Sequence, residues 1–283
     1  MAFFYKYLYR YKFTKKVFMH YQGVLKKMLT ENNEEVLYYL NFENSFLNLN
    51  QLLNRTLEIS FEGYQCLNCG EEKKIFRQGF CYECFYNSPQ VGEWIMKPEL
   101  STAHLNIEDR DLEFEKKVQL QPHIVYLALS SNVKVGVTRK SQIPTRWIDQ
   151  GATKAIEIVE LPNRYLAGLT EVALKQHVSD KTSWQKMLKN ENTDADLIEE
   201  REKLRKYIPK EAQNYYLENN GKITEINYPV IQFPTKIKSL NLDKTPEFTG
   251  KLIGVKGQYL IFENGTVFNI RNNEGYKVKI TVS

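Results

Sequence analysis

Ile124-Val125-Tyr126-Leu127, the polar turn Ser130-Ser131-Asn132 and Val133-Lys134-Val135-Gly136-Val137-Thr138 decide how the middle of the chain folds. The first run is continuously apolar, as a strand buried on both faces requires, and the second is rich in β-branched residues. Joined by a short polar turn, they predict a β-hairpin. Downstream, Arg139-Lys140 precede a helix start at Pro144-Thr145 that carries Arg146 on its first turns. A second helix, around Ala167 to His177, carries Glu171 and then Leu174-Lys175. Residues 123–190 therefore read β, β, helix, β, helix, an α/β core within an α+β chain.

The flanks have a different period. Residues 19–61 alternate and turn like a small antiparallel sheet, with Val36-Leu37-Tyr38-Tyr39-Leu40 and Leu57-Glu58-Ile59-Ser60-Phe61 as strands. Residues 250–283 behave alike, and Glu263-Asn264-Gly265 is a hairpin turn because Asn-Gly tolerates positive φ. Gly23-Val24-Leu25, Asn48-Leu49-Asn50 and Leu57-Glu58-Ile59 resemble Gly250-Lys251-Leu252, Asn269-Ile270-Arg271 and Val278-Lys279-Ile280 in order and approximate spacing. This weak repeat predicts two similar β units packed about a pseudo-twofold axis, burying faces that neither could bury alone. Residues 191–249 carry helical spacing interrupted at Pro209, then an extended linker with Pro229, Pro234 and Pro246.

All the cysteine lies in residues 62–122, as Cys66-x2-Cys69 and Cys81-x2-Cys84. Two such pairs on tight turns present four thiolates to one tetrahedral Zn²⁺, and Gly70 eases the first turn. Disulfides within an x2 spacing would be strained, and no export signal accompanies them, so a reducing cytoplasm is expected. With every position filled by protein, the zinc is structural: it staples a segment that has too little core of its own.

The chain has 283 residues, 42% hydrophobic and 26% charged, which is the composition of a folded globular protein. No stretch is apolar for the roughly 18 residues that a membrane span needs. The formal charge of +5 misleads until it is divided: residues 1–18 carry +5, residues 61–122 carry −4 and residues 123–190 carry +5. The basic excess that needs a partner is in the central core, and DNA or RNA is the natural one. Residues 1–18 alternate eight aromatics with five bases, and are read as an upstream extension without a defined role.

The hairpin, Arg146 and Glu171 together resemble the GIY-YIG nuclease superfamily, closest to branches whose second motif reads Lys-Ile-Gly. The resemblance implies that Tyr126 stands for the tyrosine of the first motif and Gly136 for the glycine of the second. Arg146 would be the first-helix arginine that steadies the scissile phosphate, and Glu171 the ligand of one Mg²⁺ or Mn²⁺. It implies catalytic roles for Tyr126, Lys134, Arg146 and Glu171, and nucleic-acid contacts from Lys134, Arg139, Lys140, Arg146 and Lys175. Val125 and Ile124 replace the small first residue expected of the motif, and Lys134 occupies the usual place of the second tyrosine. Lysine is a poor general base unless burial depresses its pKa. A non-catalytic zinc-containing nucleic-acid binder is the alternative.

Each of these residues also has a plainer role open to it. Tyr126 could be core, Arg146 and Glu171 a salt bridge, His123 and His177 structural, Trp147 and Trp184 packing, and Lys175, Lys181, Lys186 and Lys189 a solvated face. Across nearly everything after Met19, Gly79-Phe80-Cys81-Tyr82-Glu83-Cys84-Phe85, Gly136-Val137-Thr138-Arg139-Lys140, Thr145-Arg146-Trp147-Ile148-Asp149-Gln150-Gly151-Ala152 and Gly257-Gln258-Tyr259-Leu260-Ile261-Phe262 resemble domain of unknown function 2797. That family implies a domain arrangement but no activity.

Overall fold

Alternating residues at both ends of the chain become strands of shared sheets. A computed structural model describes residues 19–178, 183–218 and 222–283; the aromatic-basic extension 1–18 and Lys181 lie outside them. The first segment forms β1 (Met19–Val24), β2 (Leu29–Glu31), β3 (Leu37–Asn41), β4 (Phe46–Asn48) and β5 (Thr56–Tyr64). The cysteine segment and connector hold α1 (Tyr82–Asn87), α2 (Glu93–Met96) and α3 (Leu112–Gln119). The centre is β6 (His123–Leu129), β7 (Val133–Arg139), α4 (Thr145–Asp149), β8 (Lys154–Leu161) and α5 (Arg164–Lys175). There follow α6 (Trp184–Leu188), α7 (Leu197–Arg205), β9 (Thr224–Glu225) and β10 (Lys238–Ser239). The last unit is β11 (Glu247–Lys256), β12 (Tyr259–Phe262), β13 (Thr266–Asn269) and β14 (Tyr276–Val282).

The repeat read from sequence has a structural counterpart. Both terminal units enter one seven-stranded sheet of order β1-β14-β5-β11-β12-β13-β10, while β2, β3 and β4 form a small sheet of their own. Second and third in the seven-stranded order, β14 and β5 run antiparallel with Ile59 opposite Ile280, so a pseudo-twofold axis passes through that pair. The flanking strands obey it: Gly23 faces Val278, and Gly250 faces Leu57. The backbone N–H of Leu25 donates to the Tyr276 carbonyl at 2.8 Å, and that of Leu252 to the Arg55 carbonyl at 2.9 Å. Both repeat glycines pack under a phenylalanine ring: a Cβ would lie 2.6 Å from Phe42 at Gly23 and 3.0 Å from Phe262 at Gly250. Equivalent residues thus bury equivalent faces, which is how two short β units share one core.

The hairpin forms as read, within a four-stranded sheet of order β7-β6-β8-β9. Every residue of β6 is buried, because the sheet is covered on both sides. Val125, Leu127, Val135 and Val137 pack under Ala167 and Leu174 of α5 and Leu197 and Leu204 of α7. Ile124, Tyr126 and Ala128 face Trp147 and Ile148 of α4 and join the core of the terminal β layer without a break. The chain is thus mixed α+β, with all three strand groups around connected cores. Helix α5 begins earlier than the apolar spacing suggested because Asn163 caps it, its Oδ1 accepting from Leu166 N at 2.9 Å. Among the described residues no helix is long and apolar enough to cross a membrane.

Candidate phosphate cleft and metal centre

Strand β7 is an edge of the central sheet, and five cations from separate segments gather near its end. Lys27, Arg139, Arg146, Arg164 and Arg271 line a cleft of about 650 Å³. Lys27 and Arg271 come from the terminal β units, Arg139 from the end of β7, Arg146 from α4 and Arg164 from the first residue of α5. The cysteine segment contributes Gln78 and Gln90, and the connector Trp94 and Met96. Asp149 is the one carboxylate among the described lining residues, and Lys27 Nζ already holds it at 2.5 Å. Four arginines facing a single, paired carboxylate make a site for an anion.

Arg139 and Arg164 are partly desolvated, which strengthens their pull on an incoming charge. Burial lowers Arg164 to about 10, and burial lowers Arg139 too. Arg164 is held in place: its Nε donates to the Trp94 carbonyl at 3.1 Å and its Nη2 to the Ile95 carbonyl at 2.8 Å, with the guanidinium over the Trp94 ring. Helix α5 can lie this close to the connector because residue 168 is glycine. A Cβ there would come within 2.2 Å of Glu99 N.

Tyr126 is fully buried beside this cleft. Its hydroxyl donates to Gln150 Oε1 at 3.1 Å, and the Arg146 guanidinium lies near enough to act on the hydroxyl electrostatically. Its ring meets Trp147 edge to face at 5.8 Å. The tyrosine extends across β7 because the residue opposite is Gly136, where a Cβ would lie 2.6 Å from the hydroxyl. Burial pushes the Tyr126 phenol up, opposed by Arg146 and Gln150. Glu171, on the buried side of α5, pairs with Lys175 Nζ at 2.9 Å. Burial raises its carboxyl, with Lys175 opposing, and its charge acts on both Arg164 and the Tyr126 hydroxyl. Tyr126 therefore lies within electrostatic reach of both Arg146 and Glu171, and Glu171 itself is not among the residues that line the cleft.

Other sequence-nominated residues are placed differently. Lys134 lies opposite Ala128 on β7 and off the cleft wall. Lys140 points away to Glu160 at 2.8 Å. His123 Nδ1 bonds the Gln121 carbonyl at 2.7 Å, its Nε2 is buried without a partner, and burial pushes the ring down to about 4. His177 stacks on Tyr207 at 3.5 Å, Trp147 packs on Tyr126, and Trp184 stacks on Tyr259 at 5.8 Å. Lys189 stands 3.8 Å from Glu191.

The four cysteine Sγ atoms lie within 4.8 Å of one another, with no disulfide between them. A tetrahedron of Zn–S bonds near 2.3 Å has edges of about 3.8 Å, so little movement separates this cluster from a closed site. The turns that shape it use glycine at left-handed φ, Gly70 at +75° and Gly79 at +80°. Backbone N–H of Cys81 donates to Cys66 Sγ at 3.3 Å, and Asn68 Nδ2 donates to Cys84 Sγ at 3.4 Å. Burial raises the Cys66 thiol, but surrounding N–H groups outweigh it and bring the thiol to about 6. These residues fit a thiophilic metal ion such as zinc.

A family model described as protein of unknown function (DUF2797) matches residues 54–278, from the turn before β5 into β14. The chain belongs to the DUF2797 family. No curated protein and no solved structure matches it. The DUF2797 match spans the cysteine cluster, the central core and Arg271, leaving Lys27 alone of the five cleft cations outside it. Sequence reasoning missed Lys27, Arg164 and Arg271 in this DUF2797 chain. The one signal for Arg164 was its place directly after the cap Asn163, where an arginine sits against the positive end of a helix and needs another reason to be there.

Proposed function

We propose that this protein processes nucleic acid as a metal-dependent phosphodiesterase of GIY-YIG type, with a structural zinc at the four cysteines. The cluster of Lys27, Arg139, Arg146, Arg164 and Arg271 around one paired carboxylate carries this reading, because a phosphodiester backbone supplies the anions it lacks. Arg146 and Arg139 would meet the non-bridging oxygens, where charge develops during cleavage. Arg164 would act through its fixed carbonyl contacts as a rigid third cation. Tyr126, fully buried, would be a positioning residue that aims Arg146 through its hydroxyl.

Glu171 would hold Mg²⁺ or Mn²⁺ through its carboxylate, with the half-exposed Lys175 ammonium giving way. The ion would supply a Lewis acid that lowers the pKa of a bound water. A second reading, binding without cleavage, is favoured by the burial of Tyr126, which leaves no phenol free to take a proton, and by Lys134 standing off the cleft.

Both readings share the cleft, and salt dependence tests it. Affinity for DNA and RNA should fall steeply with salt, and Arg139→Ala with Arg146→Ala should reduce the log-log slope by about 2. A slope unchanged by the double substitution would remove the cleft from nucleic-acid binding.

A further inference from the structure

The cysteine module carries a feature that its metal site does not use. Phe76, Tyr82, Phe85 and Tyr86 form a continuous ring cluster, with Phe76 5.2 Å from both Tyr82 and Phe85, and Tyr82 4.8 Å from Tyr86. Such clusters ordinarily bury their faces, yet Phe76 is 40% exposed, Tyr82 62% and Tyr86 52%. Arg77 places its guanidinium 5.4 Å from the Phe76 centroid, and among the described residues neither Arg77 nor Lys74 makes an ion pair. The acid beside the cluster, Glu83, is taken by Lys73 at 2.8 Å.

The segment that carries the patch also supplies two residues of the cleft wall. Gln78, two residues after Phe76, lines the cleft, and so does Gln90, four residues after Tyr86. The Arg110 guanidinium ties the end of α1 to the connector by donating to the Phe85 and Ser88 carbonyls at 3.1 and 2.7 Å. Exposed flat rings with the Arg77 cation beside them, on a segment whose Gln78 and Gln90 line a cleft of arginines, complement a ligand of flat rings joined by anions. A nucleotide chain has that composition, and the bases must be unpaired for their faces to be available. A duplex hides them.

We propose that the exposed Phe76, Tyr82 and Tyr86 rings stack the unpaired bases of a single strand whose phosphates continue into the cleft; this rests on the cleft taking a phosphodiester backbone. The zinc module is then a substrate-selecting arm as well as a staple. It favours single-stranded or flapped DNA or RNA over continuous duplex.

The test uses the full metal-loaded chain and three labelled probes in low salt: a 20-nucleotide oligothymidylate, an abasic 20-mer with the same backbone, and a 20-base-pair duplex. Wild type should bind the oligothymidylate about tenfold or more tighter than the abasic strand. Tyr82→Leu with Tyr86→Leu, which keeps apolar bulk but removes the rings, should erase that preference and leave abasic binding unchanged. Tyr82→Phe with Tyr86→Phe should keep it.

Equal wild-type affinity for the oligothymidylate and abasic strands, or a preference that survives the leucine variant, would overturn the stacking surface while leaving the cleft intact. Binding of none of the probes would overturn both. A wild-type dimer that the leucine variant cannot form, with base preference unchanged, would assign the patch to a second copy of this chain instead.

Discussion

Lys256, at the end of β11, is a lysine without solvent and, among the described residues, without an acid in ion-pair contact. It has no exposed surface, its Nζ donates to Asn190 Oδ1 at 2.8 Å, and it lies over the rings of Tyr228 and Phe233 at 5.2 and 5.3 Å. Burial lowers its amine to about 8. From an unfolded value near 10.4, at about 1.4 kcal/mol per pH unit, keeping it charged costs roughly 3 kcal/mol at pH 7.

Between those two pH values the unfolded chain binds more protons than the folded one, so stability rises with pH. About 2 kcal/mol of the penalty is relieved between pH 7 and 9.5. Lys256→Met keeps the stem and removes the charge. It forfeits the Asn190 hydrogen bond, about 1 kcal/mol, and the ring contacts, about 0.5 to 2 kcal/mol together. The variant should therefore be more stable than wild type by about 1 kcal/mol at pH 7 and less stable by a similar amount at pH 9.5. Urea unfolding of both proteins at both pH values measures this, and the comparison cancels the other titrating groups. A stability difference that is the same at pH 7 and 9.5 would show that Lys256 is not held desolvated.

Gly136→Ala forces a Cβ to 2.6 Å from the Tyr126 hydroxyl, so it should cost about 1 to 3 kcal/mol and weaken phosphate binding through Arg146; denaturation and binding measured together check it. Gly168→Ala meets the Glu99 backbone at 2.2 Å and should destabilise by a similar amount, since backbone yields less readily than a side-chain tip; an unchanged unfolding midpoint would contradict the contact. Protein purified without chelators should carry about one zinc per chain, and Cys66→Ser should unfold residues 66–88 locally at a cost of several kcal/mol; metal analysis and hydrogen exchange over that segment decide the point.

Local features were legible in the sequence, and convergence was not. The hairpin 124–138 is visible because a continuous apolar run and a polar turn have one economical fold. The cysteine pairs are visible because an x2 spacing on a tight turn lets two thiols point the same way, and two such pairs can gather four. The repeat was legible in order and approximate spacing only; its register appears in the structure, where Gly23 and Gly250 each need a residue without a side chain beneath a phenylalanine.

The cleft is another matter. Lys27 and Arg271 reach it because the pseudo-twofold sheet brings both chain ends against α4, and Arg164 because Gly168 lets the connector ride on α5. Nothing in the one-dimensional pattern distinguishes these cations from solvated ones. Lys140, beside Arg139 in sequence, looked equivalent to it, but it pairs with Glu160 while Arg139 lines the cleft.

Cleavage itself is the most direct test. In a single-turnover assay with Mn²⁺ or Mg²⁺ on single-stranded, flapped and duplex DNA and RNA, wild type should cut at least one substrate. Glu171→Gln should abolish cutting while preserving affinity, because it removes a metal ligand without adding negative charge to the cleft. Arg146→Ala should slow it by about a hundredfold or more. Metal-dependent cutting that persists in Glu171→Gln, or tight salt-sensitive binding with no cutting of any substrate, would contradict the phosphodiesterase account.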